Sequence, residues 1–112
     1  MKYRHLIFNG KEITNQRHIE RILNDHKFYW LIDAEFEDAE IEIKNNTILW
    51  NSGTWFSGTW NYGIWLNGDF RWGTWLNGIF ENGNFINGNW ESGIVINGNI
   101  NDSVNITDIT KK

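Results

Sequence analysis

The chain has 112 residues, 40% of them hydrophobic and 16% aromatic, with a formal net charge of −4. That length suits one domain with a modest core, and eight tryptophans among so few residues argue against disorder. With no cysteine there is no disulfide framework and no thiolate metal site, and the mild negative charge selects no class of partner. Residues 1–30 are broken by charges and lack a continuous apolar run, so no leader and no membrane span are expected.

From the start, Tyr3–Thr14 predicts a β-hairpin. Tyr3, His5 and Ile7 alternate with Lys2, Arg4, Leu6 and Phe8, and Asn9-Gly10 supplies the turn. Thr14 or Asn15 then caps a helix running to about Asp25, with Ile19, Ile22, Leu23 and His26 on one face. Phe28–Ile32 predicts a short apolar strand. Residues 1–33 read together as a cap, because an open repeat end would expose core and unpaired strand edges.

Residues 34–43 hold two five-residue units, Ala34-Glu35-Phe36-Glu37-Asp38 and Ala39-Glu40-Ile41-Glu42-Ile43. Each has a small residue two places before an apolar centre. Residues 44–49 break the phase, with Asn45-Asn46 as a turn. From Trp50 to Asn101 glycine then returns every fifth residue, Gly53 through Gly98, and a large apolar residue stands two places after each. These centres are Trp55, Trp60, Trp65, Phe70, Trp75, Phe80, Phe85, Trp90, Val95 and Ile100, with Trp50 opening the series. Such a period fits neither a helix nor a continuous strand; it demands a short extended piece and then a corner, again and again. Asn-Gly at 67–68, 77–78, 82–83, 87–88 and 97–98 is a strong corner dipeptide.

A second rhythm lies inside the first. The residue after each centre alternates between polar (Asn51, Asn61, Arg71, Glu81, Glu91, Asn101) and apolar (Phe56, Leu66, Leu76, Ile86, Ile96). Two architectures satisfy a ten-residue repeat of this kind. One is a square β-helix; the other is a single-layer meander of short hairpins, whose aromatic face would need a cover.

The units of residues 34–43, and more loosely those of 53–101, resemble the pentapeptide-repeat family and its Ala-(Asp/Asn)-Leu-x-x pattern. Here glycine replaces the small alanine, and tryptophan or phenylalanine replaces leucine. The resemblance implies a right-handed quadrilateral β-helix with about four units per turn, its glycines and aromatic centres pointing inward. Asn61–Gly68 is also similar to part of a MORN repeat, Tyr-x-Gly-x-Trp-x-x-Gly, which implies single-layer hairpin sheets. The expected fold is therefore mainly β: a pentapeptide-type β-solenoid over 34–101, a hairpin–helix–strand cap over 1–33, and a polar tail over 102–112. The tail adds one last strand through Val104 and Ile106, or frays.

Chemistry is sparse. His5, His18 and His26 have no acidic residue in a metal-binding spacing, no serine sits in a Gly-x-Ser-x-Gly elbow, and no phosphate loop is present. Neither catalysis nor a metal or cofactor is expected. Asp33, Glu35, Glu37, Asp38, Glu40 and Glu42 make an acidic patch. Some pentapeptide-repeat proteins imitate DNA with an acidic rod and inhibit gyrase, so the resemblance offers DNA mimicry as one role. The repeat itself, however, sets only Asp69, Glu81 and Glu91 against Arg71. The acid gathers at one end, as on a solvated strand face that discourages edge pairing. No Lys/Arg stripe suits nucleic acid.

The stronger surface signal is the apolar series Phe56, Leu66, Leu76, Ile86 and Ile96, since a row of that length seldom faces water alone. Tyr62 and Trp72 fill the slot before glycine that otherwise holds Asn or Ser, and with Arg71 they suit a stacking platform for a sugar or a side chain. The expected role is a non-enzymatic structural or protein-interaction module, with another protein or a second copy of the chain as partner. DNA mimicry and glycan binding are the alternatives. Short, cysteine-free and asparagine-rich, the chain has the look of a bacterial or phage protein, cytoplasmic or, if phage-encoded, an accessory or virion component.

Overall fold

A computed structural model describes all residues 1–112. Strands β1 (Tyr3–Phe8) and β2 (Lys11–Ile13) form the antiparallel hairpin, turned by Asn9 and Gly10 at positive φ. Helix α1 (Gln16–Asp25) starts at Asn15, whose side chain accepts from the His18 amide at 2.9 Å. Its buried face is Ile19, Ile22 and Leu23.

Two features of the cap depart from expectation. Residues 29–33 are not a strand but a short helix, α2 (Tyr29–Asp33). The chain reverses at Lys27 (φ 66) and the Phe28 amide bonds back to the Leu23 carbonyl, so Leu31 drops into the core instead of extending beside the sheet. Tyr3 and Leu6 share the inner face, because the pairing of β1 shifts register between Tyr3 and His5.

Residues 34–43 are not coil units either. β3 (Glu35–Lys44) is one strand, antiparallel to β4 (Thr47–Ser57) across the Asn45-Asn46 turn and parallel to β1. Phe36 and Ile41 lie an odd number of residues apart, yet both face inward. A register shift between Glu37 and Glu40, with Asp38 at φ 54, absorbs the extra residue. Without glycine the segment has no corner, so its five-residue spacing is a bulged strand.

Beyond β4 the chain coils. The short strands are β5 (Thr59–Trp60), β6 (Ile64–Trp65), β7 (Asp69–Phe70), β8 (Thr74–Trp75), β9 (Ile79–Phe80) and β10 (Asn84–Phe85). They continue as β11 (Asn89–Trp90), β12 (Ile94–Val95), β13 (Asn99–Ile100), β14 (Asn105–Ile106) and β15 (Thr110–Lys111). All pair in parallel: Trp50 with Trp65, Trp65 with Phe80, and Phe80 with Val95 on one side; Trp55, Phe70, Phe85 and Ile100 on the second; Trp60, Trp75, Trp90 and Ile106 on the third. The result is a β-solenoid of about 4 turns behind a small N-terminal cap. Each full turn takes three units, not the four that the pentapeptide resemblance implies.

The interior is three columns of rings. Within a coil Trp50, Trp55 and Trp60 meet edge to face at 5.8–6.1 Å. Between coils the rings lie flat on each other, as Trp60 on Trp75 (5.2 Å, 4°) and Phe70 on Phe85 (4.2 Å, 10°). Every centre from Trp50 to Trp90 is fully buried. At the corners the coils approach so closely that a Cβ on Gly83 (φ 111) would fall on the Gly68 carbonyl oxygen.

The cap closes one end, with Trp30 edge-on to Trp60 and Phe36 stacked on Trp55. At the other end, residues 102–112 belong to the coil and are not a separate tail. Trp90 pairs with Ile106 and Val95 with Lys111, one residue beyond the regular spacing, and buried Val104 takes up the longer corner that lacks glycine. No helix is long and apolar enough to cross a membrane.

Candidate functional site

Because strand side chains alternate, each side of the coil shows two outward residues per turn, one on either flank of its buried centre. The first face carries Leu49 and Asn51, Ile64 and Leu66, Ile79 and Glu81, Ile94 and Ile96, then Thr110 and Lys112. The second carries Thr54 and Phe56, Asp69 and Arg71, Asn84 and Ile86, Asn99 and Asn101. The third carries Thr59 and Asn61, Thr74 and Leu76, Asn89 and Glu91, Asn105 and Thr107.

This arrangement breaks up the expected apolar row. A ten-residue alternation wound on a fifteen-residue coil puts Leu66 and Ile96 on the first face, Phe56 and Ile86 on the second, and Leu76 on the third. On every face the apolar members alternate with polar ones from coil to coil. The continuous apolar column is a different one, Leu49, Ile64, Ile79 and Ile94, all on the first face and half-buried. Its signal was in the sequence as a fifteen-residue period in the residue before the centre, where the other two faces have Thr, Asp or Asn.

Tyr62 and Trp72 are 59% and 54% exposed. They occupy different corners, flanking the third face on opposite sides, while Arg71 lies on the second face one coil above Phe56. The three do not form one stacking platform. Elsewhere in this slot Asn67, Asn77, Asn82 and Asn87 accept a hydrogen bond from the following glycine amide at 2.8–2.9 Å. Tyr62 and Trp72 forgo that bond.

The second face has an open depression of about 300 Å³ lined by Asp69, Asn84, Ile86, Asn99 and Asn101. An amide ladder runs through it: Asn84 donates to Asp69 at 3.0 Å and Asn99 donates to Asn84 at 3.3 Å.

The carboxylates lie along β3, beside the cap. Glu35, Glu37 and Asp38 are exposed, and Asp38 is 3.8 Å from the chain's amino group. Glu40 accepts from Ser52 Oγ at 2.6 Å and lies 3.5 Å from Arg4. The Ser52 hydroxyl, aided by the His5 and Arg4 charges and opposed by burial, holds the Glu40 carboxyl below its usual range. Glu42 is half-buried and makes no ion pair. Of the histidines, His5 Nδ1 sits 3.1 Å from Glu12, His26 packs edge-on against Phe8, and His18 lies in the first turn of α1. No three His, Asp or Glu side chains converge as metal ligands.

Comparison of the chain with protein-family models, with curated proteins and with solved structures gives no match.

Proposed function

We propose that the protein is a non-enzymatic interaction module that presents its aliphatic first face to another protein chain. The observation that carries this reading is the column Leu49, Ile64, Ile79 and Ile94, with Leu66 and Ile96 beside it. Nothing in the coil requires aliphatics there, since Thr, Asp and Asn fill the equivalent positions on the other faces. A contiguous apolar patch on a rigid scaffold is the usual mark of a protein contact. The test is affinity capture from cells of the source with wild type, Ile64→Lys/Ile79→Lys and the third-face control Leu76→Lys, each checked for a native spectrum. Specific partners, self included, that persist with the first-face variant would refute the reading.

The depression on the second face supports a second reading, a glycan subsite. Its amides and the Asp69 carboxylate offer paired donors and acceptors to sugar hydroxyls. Titration with oligosaccharides followed by calorimetry tests it, with Asn84→Ala as the variant expected to abolish heat release.

A further inference from the structure

The first face continues past the coil. Through β4 it joins β3 and then β1, so one unbroken sheet runs from the cap to the C-terminal strand. Its outer surface changes character along that length. At the cap end stand Glu40 and Glu42, in the middle the aliphatic column, and at the far end Lys112, with Lys111 exposed beside it. Neither Glu42 nor the two lysines makes an ion pair within the chain.

We infer that the occupant of this face is a second copy of the chain, packed face to face with its coil axis reversed. The inference rests on the interaction-module reading and names its partner. A two-fold axis lying parallel to the strands, midway between β6 and β9, maps β6 onto β9, β4 onto β12 and β3 onto β15. It therefore sets Ile64 over the partner's Ile79, Leu49 over the partner's Ile94, and the Glu40/Glu42 end over the partner's Lys112 end. Each contact occurs twice, as a two-fold interface requires. The alternative axis, along the coil, would lay Lys112 on Lys112 and glutamate on glutamate. Charge complementarity thus selects the reversed arrangement, while the apolar middle supplies the dry centre.

The test uses sedimentation equilibrium over a dilution series. Wild type is expected to dimerise. Glu42→Lys and Lys112→Glu should each weaken the dimer by about tenfold, and the double variant, with both ends exchanged, should regain the wild-type constant. Orientation is read separately. Since the chain has no cysteine, Ile64→Cys and Ile79→Cys proteins can be mixed and treated with a short bismaleimide. The reversed pairing yields the mixed 64–79 product; a parallel pairing yields 64–64 and 79–79 products instead and overturns the arrangement. A wild type that stays monomeric at every concentration overturns self-pairing altogether. If it is monomeric and a foreign protein is captured only with the first face intact, the interaction module stands and only the inferred partner falls.

Discussion

The indole of Trp65 lies flat on that of Trp50, ring centroids 4.6 Å apart and planes 8° apart, one full coil along the chain. The stack and the ladder beneath it act together, for the Leu66 amide bonds the Trp50 carbonyl at 2.7 Å. Ring contact holds neighbouring coils at strand spacing, and strand spacing holds the rings in contact.

Corner glycines should be far less replaceable than turn glycines. At Gly83 an alanine Cβ would collide with the Gly68 carbonyl, which the Asn84 amide also needs at 3.1 Å. At Gly10 a Cβ meets nothing within 4 Å, leaving only the positive φ of 75° as a penalty. Gly10→Ala should cost about 1–2 kcal/mol. Gly83→Ala should exceed about 4 kcal/mol, in the range of severe core damage. Urea unfolding of the two variants checks the ranking.

Five buried indole N–H groups, those of Trp50, Trp55, Trp60, Trp75 and Trp90, have no acceptor, whereas Trp65 donates to the Gly68 carbonyl at 3.3 Å. An orphaned buried donor costs about 1–3 kcal/mol. Trp75→Phe removes that penalty along with some apolar contact, so it should be close to neutral. Trp65→Phe loses a made bond as well and should be clearly destabilising by thermal unfolding. Trp75→Ala leaves a cavity in the middle of a stack and should cost at least about 3–5 kcal/mol.

Trp72→Asn should stabilise the fold or leave it unchanged. The introduced amide can accept from the Gly73 amide as Asn67 does from Gly68 at 2.9 Å, a contribution of about 0.5–1.5 kcal/mol. A rise in melting temperature would mean that Trp72 is kept for a reason other than folding. A large fall would show that the exposed indole is a packing element.

Stability should decline in alkali through Tyr3. Burial, then the Glu20 charge and the hydrogen bond to Glu20 at 3.0 Å, push its phenol well above the usual value. Above about pH 10 the unfolded chain loses a proton that the folded chain keeps, so unfolding becomes easier as pH rises. Lys2, whose ammonium is lowered chiefly by burial, works in the opposite direction. Tyr3→Phe, with Lys2 retained, should be less stable at pH 7 yet lose the alkaline decline, as denaturation midpoints between pH 7 and 11.5 would show.

The repeat, its corners and its inward centres were legible from residues alone, because glycine at fixed spacing and a ring two places on are local requirements of a turn and a buried strand. The helix at Asn15 was legible for the same local reason. The segments 28–32 and 34–43 were not. Whether an apolar five-residue piece extends or coils depended on Leu31 finding the core, and whether Phe36 and Ile41 belong to a coil or a strand depended on a bulge at Asp38.

The sequence by itself determined that Trp50–Asn101 turns every five residues around buried aromatic centres. Only the tertiary structure decided that three turns close a coil. That number follows from how Trp50, Trp55 and Trp60 meet edge to face across the interior, a contact between residues that no local pattern encodes. It also decided the surface. Once the coil takes fifteen residues, Phe56, Leu66 and Leu76 part onto three faces, while Leu49, Ile64, Ile79 and Ile94 align on one.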